Sequence, residues 1–258
     1  MEIRKINYQE FDVSKATPET VQQYMKMFGE MLMKMPGNAP EYAVAAAAEN
    51  SDSPLKGKRI IFLGSSVMAG TMAMNESFCD YLQKEDGIVM FKEALAGTTM
   101  VDKDQMGPSF IKRMKTIPAD FAPDMFVCQL STNDCIQNMP LGSPAEGKDP
   151  AAFDTMTIAG AIEYIIAYAK QTWNCPVMFY TGTEFNAELY RQMVNLLLEL
   201  KEKWNIEVAD LWNEMDLSTM EDDEYDLYMA DPIHPTKAGY RLWWAPFFRQ
   251  KLTEYFAR

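Results

Sequence analysis

Chemistry is most legible at the two ends of the apolar part of this 258-residue chain. Near the C-terminus, Asp231-Pro232-Ile233-His234-Pro235 holds the one histidine of the sequence, with an aspartate three residues before it on a proline-stiffened stretch. A histidine that takes a proton from a nucleophile needs an acid to fix its tautomer and stabilise the imidazolium, and one short loop can supply both. The plainer reading is a turn begun by Asp231, with His234 packed beside the last helix. Far upstream, Arg59-Ile60-Ile61-Phe62-Leu63-Gly64-Ser65-Ser66-Val67 runs an apolar segment into a glycine and two serines. A serine there either attacks a carbonyl or caps the next helix. Acyl transfer also needs donors for the oxyanion, and Gly97 (backbone N–H) and Asn133 (side-chain amide) each follow an apolar run. Taken singly, both read as turn residues.

These residues must be positioned by something, and the pattern around them alternates short β-rich runs with segments of helical period. The expected strands are Arg59–Leu63, Ile88–Ala94, Met125–Leu130, Pro176–Thr181 and Ile206–Leu211, and the expected helices are Glu76–Glu85, Asp104–Lys115, Asp154–Trp173, Ala187–Trp204 and Thr236–Phe256. Such alternation specifies an α/β fold, a parallel sheet with helices on both faces in a three-layer sandwich. Serine, glycine, asparagine and histidine then fall, in that order, beside the end of a strand or the last helix. Residues 1–55 differ in character and form an accessory arm, leaving 56–258 as the main domain. The arm carries a helix over Pro18–Met35 with Met25, Met27, Met31, Met33 and Met35. These methionines suit adaptable packing on the main domain, an acyl pocket or a homodimer contact, the first being favoured. The Pro- and Gly-punctuated segment Ile136–Phe153, which includes Asn138, and the Thr183–Asn186 turn, which includes Phe185, lie at the sheet's carboxyl rim. Together with Ser65, Asn138 and Phe185 are the candidate substrate contacts.

With these blocks in view, the chain resembles the SGNH hydrolases, also called the GDSL esterase/lipase superfamily. Gly64-Ser65-Ser66-Val67 resembles the family's first block, Gly97 its second, Ser131-Thr132-Asn133-Asp134 its third and Asp231-Pro232-Ile233-His234 its last. The resemblance spans Arg59 to the C-terminus and leaves the first 55 or so residues outside it. It implies a flavodoxin-like sandwich and metal-free, cofactor-free hydrolysis of an ester or thioester. Ser66 would be the nucleophile, His234 the base and Asp231 its orienting acid. The oxyanion would be held by the Ser66 and Gly97 N–H groups and the Asn133 amide. Ser65 stands where the family usually has aspartate, and Ser131 where it commonly has glycine. Acetylated sugars, short alkyl esters, thioesters and lysophospholipids all fall within the family's range. The preferred expectation is an esterase acting on a short-chain acyl or acetyl group of a small metabolite or carbohydrate. An acyltransferase using the same residues, or a silent binding member of the fold, are the alternatives.

Composition narrows the field further. A formal net charge of −13 disfavours nucleic acid and anionic lipid surfaces. The runs Lys56–Arg59 and Lys112-Arg113 read as solvated faces. A single histidine gives little support to a zinc site. Cys79, Cys128, Cys135 and Cys175 form no Cys-x-x-Cys pair and read as reduced core thiols. No apolar run approaches a membrane span and the N-terminus lacks a signal-peptide pattern, so the expected location is the cytoplasm.

Overall fold

The computed structural model describes residues 17–215 and 217–258. Most of the N-terminal stretch read for a leader lies outside the described residues. Five strands, β1 (Arg59–Gly64), β2 (Val89–Ala94), β3 (Met125–Gln129), β4 (Val177–Tyr180) and β5 (Glu207–Ala209), pair in parallel in the order β2-β1-β3-β4-β5. Ile60 is in register with Met90 on one side and Met125 on the other. The helices are α1 (Pro18–Met33), α2 (Ser66–Ala69), α3 (Phe78–Asp86), α4 (Phe110–Met114), α5 (Thr132–Ile136), α6 (Ile158–Trp173), α7 (Glu188–Trp204), α8 (Leu211–Glu214), α9 (Asp222–Tyr228) and α10 (Ala245–Phe256).

Side chains of the inner strands β1, β3 and β4 alternate between two cores, which is why these strands read as nearly unbroken apolar runs. Ile61, Leu63, Phe126, Cys128, Val177 and Phe179 pack with α4, α6 and α7 on one face. Ile60, Phe62, Met125, Val127, Met178 and Tyr180 pack with α3 and α10 on the other. There Phe78 of α3 stacks on Phe248 of α10, with ring centroids 3.8 Å apart, and Tyr180 meets Phe248 edge-on. The result is the three-layer α/β/α sandwich with the flavodoxin-like strand order that the alternation and the resemblance imply.

Several boundaries differ from the sequence reading for local reasons. The helix expected from Asp104 begins at Phe110, because Asp102 and Asp104 accept hydrogen bonds from Ser109, and Ser109 caps α4. The segment expected from Asp154 begins at Ile158, capped by Thr157. The long C-terminal helix passes, after residues 237–238, into a π-helical turn over Gly239–Trp244 and becomes α10 at Ala245. Pro246 has no N–H to continue the ordinary ladder, which accounts for the wider turn. The Lys112-Arg113 pair splits: Lys112 is solvated, whereas Arg113 is buried.

The described residues of the segment read as an arm, 17–55, behave as two parts. Along α1 only Leu32 is buried, and Met25, Met27 and Met33 are exposed. Phe28, Met31 and Met35 instead pack with Leu32 on Met72 and Ala230. Residues beyond α1 are fitted into the body, and Leu55 is fully buried. Gly37 is pressed against the segment before the histidine loop: a Cβ there would lie 1.9 Å from the Leu227 carbonyl oxygen. Beside it, Asn38 donates its side-chain amide to the carbonyls of Leu32 (3.1 Å) and Met72 (2.9 Å) and accepts the Lys237 N–H (3.0 Å).

The loop after α5 is also held down. Buried Glu163 of α6 accepts the Ala145 N–H at 2.8 Å and the Trp204 indole N–H at 3.0 Å, and Lys203 bridges Glu163 to the Ala145 carbonyl. The segment 136–153 is thereby tied at Ala145 to the outer helices α6 and α7.

Candidate active site

Strand order reverses between β1 and β3, and in an open parallel sheet the crevice beyond that point binds ligands. Ser66 opens α2 directly after β1, Gly97 follows β2, and Asn133 lies in α5 directly after β3. Gly64 ends β1 because α2 folds back over it: a Cβ there would lie 2.3 Å from Met68 Cβ. Three strand ends are then tied together. Buried Arg113 donates to the Gly64 carbonyl (2.8 Å) and the Thr98 hydroxyl (3.1 Å), and pairs with Glu93 at 3.0 Å. Asn133 Nδ2 donates to the Thr98 carbonyl at 3.0 Å, and Gln137 Nε2 to the Gly97 carbonyl at 3.0 Å. One N–H of the Asn133 amide is thus spent on the loop, which leaves its second N–H.

The histidine loop is built locally. Asp231 Oδ1 accepts the backbone N–H groups of Ile233 and His234, each at 2.8 Å. Met229 pairs with Pro235 in a short antiparallel bridge, and the Ala230 N–H donates to the His234 carbonyl at 2.9 Å. These bonds aim the imidazole back across the molecule. Ser66 Oγ lies 2.8 Å from His234 Nε2, and His234 Nδ1 lies 2.8 Å from Asp231 Oδ2. With its proton on Nδ1, a neutral imidazole donates to the carboxylate and accepts from the hydroxyl. Burial pushes the Asp231 carboxyl up, but the bond and charge of His234 and the two backbone donors outweigh it and hold the group below its ordinary value. Such an alignment can draw a proton from Ser66 and return it to a leaving group.

The remaining candidates fall elsewhere. Ser65 is buried, with its hydroxyl unpartnered. Asn138 is exposed at the end of α5 with φ +51°, and Phe185 packs on Tyr190 and Trp212. Neither makes a hydrogen bond or ring contact to Ser66, His234 or Asp231 among the described residues. A cleft of about 790 Å³, lined by Val44, Glu49, Asn50, Lys56, Asn75 and Lys84, lies beside α3 and includes none of the three aligned residues. All four cysteines are free, and burial pushes the Cys79 thiol up to about 12 and Cys175 to about 11. Among the described residues, no group of three His, Cys, Asp or Glu side chains is placed to hold a metal ion, and no helix is long and apolar enough to cross a membrane.

Three polar residues that the sequence reading gave no role are buried around the site: Arg113, Gln129 and Asp134. Asp134 accepts the N–H groups of Met100 (2.8 Å) and Val101 (3.0 Å), bracing the loop that begins at Gly97. Burial pushes its carboxyl up to about 6 from 3.8, against the pull of those two donors. The folded protein therefore holds this proton more tightly than the unfolded chain, and the associated stability is present at low pH and lost as pH rises through about 6. Asp134→Asn removes the titration. Denaturant melts should show the variant gaining on wild type by up to about 3 kcal/mol between about pH 4 and pH 7. A stability difference that does not change with pH would contradict it.

The model of the GDSL-like lipase/acylhydrolase family matches residues 62–242. No curated protein matches the sequence. Among solved structures, one of a protein from Lactobacillus plantarum superposes with a TM-score of 0.62 at 17% identity, covering 78% of this chain and 97% of the other. A GDSL-like lipase from Bacteroides thetaiotaomicron superposes with a TM-score of 0.51 at 18% identity, covering 86% of this chain and 98% of the other. At these identities the likeness is one of fold.

Proposed function

Because the chain belongs to the GDSL-like lipase/acylhydrolase family, we propose that it is a serine esterase that cleaves a carboxylic ester through an acyl-enzyme on Ser66. The observation that carries this reading is the unbroken chain from Ser66 Oγ through both imidazole nitrogens of His234 to Asp231, with both links at 2.8 Å. In the first half-reaction Ser66 Oγ bonds to the acyl carbon as its proton passes to His234 Nε2. The carbonyl electron pair moves to oxygen, where the N–H groups of Ser66 and Gly97 and the second N–H of Asn133 receive it. Collapse breaks the ester C–O bond, and the departing alkoxide takes the proton from His234. Water then repeats the sequence: it gives a proton to His234, adds to the acyl carbon and displaces Ser66 Oγ, which is reprotonated.

The preferred substrate is a short acyl or acetyl ester of a small metabolite or carbohydrate, since the net charge of −13 repels anionic surfaces. The four free thiols fit a reducing compartment, and we place the protein in the cytoplasm on that basis. A panel of p-nitrophenyl esters of rising chain length, acetylated sugars and acyl-CoA, each with and without a chelator, tests the proposal. Turnover should be greatest on acetyl or short-chain oxygen esters and indifferent to chelation. Exclusive turnover of acyl-CoA would replace the ester with a thioester, and inhibition by the chelator would overturn the metal-free mechanism.

A further inference from the structure

The helix that presents Ser66 is capped from outside its own segment. Ser65 occupies the position where a serine side chain ordinarily accepts an N–H of the first turn, yet it makes no such bond and its buried hydroxyl has no partner. The acceptor comes from β3 instead. Gln129 is the last residue of that strand and 1% exposed, and its Oε1 accepts the N–H of Ser65 at 2.8 Å and the N–H of Met68 at 3.3 Å. One oxygen thus grips the backbone on both sides of Ser66, while the Ser66 N–H itself has no protein partner among the described residues. Gly64 makes the room, since a Cβ there would stand 2.8 Å from that oxygen.

The other end of the same side chain is not matched in this way. Gln129 Nε2 is buried with no partner, a desolvation cost that the side chain carries alongside the two N–H groups its oxygen satisfies. We propose that Gln129 is a positioning residue: it fixes the Ser65–Met68 backbone so that Ser66 Oγ stays on His234 Nε2 and the Ser66 N–H points into the oxyanion site. This rests on the serine-esterase reading above. The ionisable groups bonded to the same turn are Arg113, through the Gly64 carbonyl, Tyr240, through the Val67 carbonyl, Lys92, through the Ala69 carbonyl, and His234, through Ser66 Oγ.

The test compares wild type, Gln129→Met and Gln129→Glu, with Ser66→Ala as reference. The readouts are kcat, KM, the rate of labelling by a fluorophosphonate probe, and Tm. Gln129→Met should lower kcat and the labelling rate about thirtyfold, with KM within about twofold and activity measured well below its Tm. Gln129→Glu keeps the acceptor. Its activity relative to wild type should be near one at the acid end of the range and fall as pH rises, because an ionised carboxylate beside the oxyanion site opposes the charge that develops there. Wild-type kcat and labelling in Gln129→Met would overturn the proposal, and so would a Gln129→Glu to wild-type ratio that does not change with pH. If Gln129→Met fails to fold, the Gln129→Glu profile decides alone. Wild type that is not labelled at Ser66 would overturn the esterase reading and this proposal with it, whereas normal labelling in both wild type and Gln129→Met overturns this one only.

Discussion

Ser66→Ala is expected to lower ester turnover at least about a thousandfold and to abolish fluorophosphonate labelling, while Ser65→Ala keeps most of both. The two serines are neighbours, yet their surroundings differ in kind. Ser66 Oγ is bonded to His234 Nε2 at 2.8 Å, so on the proposed mechanism its loss removes the attacking atom and leaves the base with nothing to deprotonate. Ser65 contributes its backbone N–H to Gln129, a bond that alanine retains, and its hydroxyl has no partner to lose. Deleting an unpartnered buried hydroxyl should leave Tm within a few degrees of wild type or slightly raise it. Steady-state kinetics and labelling of both variants check the assignment. A dead Ser65→Ala alongside an active Ser66→Ala would reverse it.

The second large effect separates the two members of the histidine loop. His234→Ala should cost about as much as Ser66→Ala, because nucleophile and base act as one unit and losing either stops the same proton transfer. Asp231→Asn should be severe but roughly tenfold or more milder. The asparagine oxygen can still accept the Ile233 and His234 N–H groups, so the loop survives. Its amide group then faces His234 Nδ1 as a donor, which favours the tautomer with the proton on Nε2 and blocks transfer from Ser66. The lowered pKa of Asp231 means that its ionised form stabilises the fold above the ordinary carboxylate range, and that this contribution is lost as pH falls through the folded value. In Asp231→Asn that acid-side loss should be reduced. Equal rates for Asp231→Asn and wild type would remove Asp231 from the mechanism.

The sheet was legible because every strand but the edge strands β2 and β5 is covered on both faces, so burial leaves an unmistakable run such as Ile60–Leu63. Helix starts were less so. Asp102 and Asp104 look like first-turn acids but serve Ser109 in a loop, and nothing in helical period distinguishes those uses. At the site, Ser66, Gly97 and Asn133 stood out because each follows an apolar run, and His234 because it is the one histidine and Asp231 stands three residues before it. Gln129 carried a fainter signal, a lone amide closing an otherwise apolar strand, and it went unread. Arg113 was misread as solvated because a basic pair on an amphipathic segment usually is, and only the fold shows that one member of the pair points inward at Gly64 and Thr98. The role of Asn38 had no local signature, since its partners are distant in the chain.

That last contact orders events in time. Asn38 and Lys237 are 199 residues apart, and the bond between them fastens the segment that follows His234 to a part of the chain synthesised far earlier. On a ribosome, the Ser66 turn, its bonds to Gln129 and most of the sheet can form while the histidine loop is still unmade. The clasp then closes one of the longest loops the chain can form, a late step because its entropy cost is repaid only once both ends are in place. Hydrolytic competence should accordingly be the last property acquired, after the fold is otherwise complete.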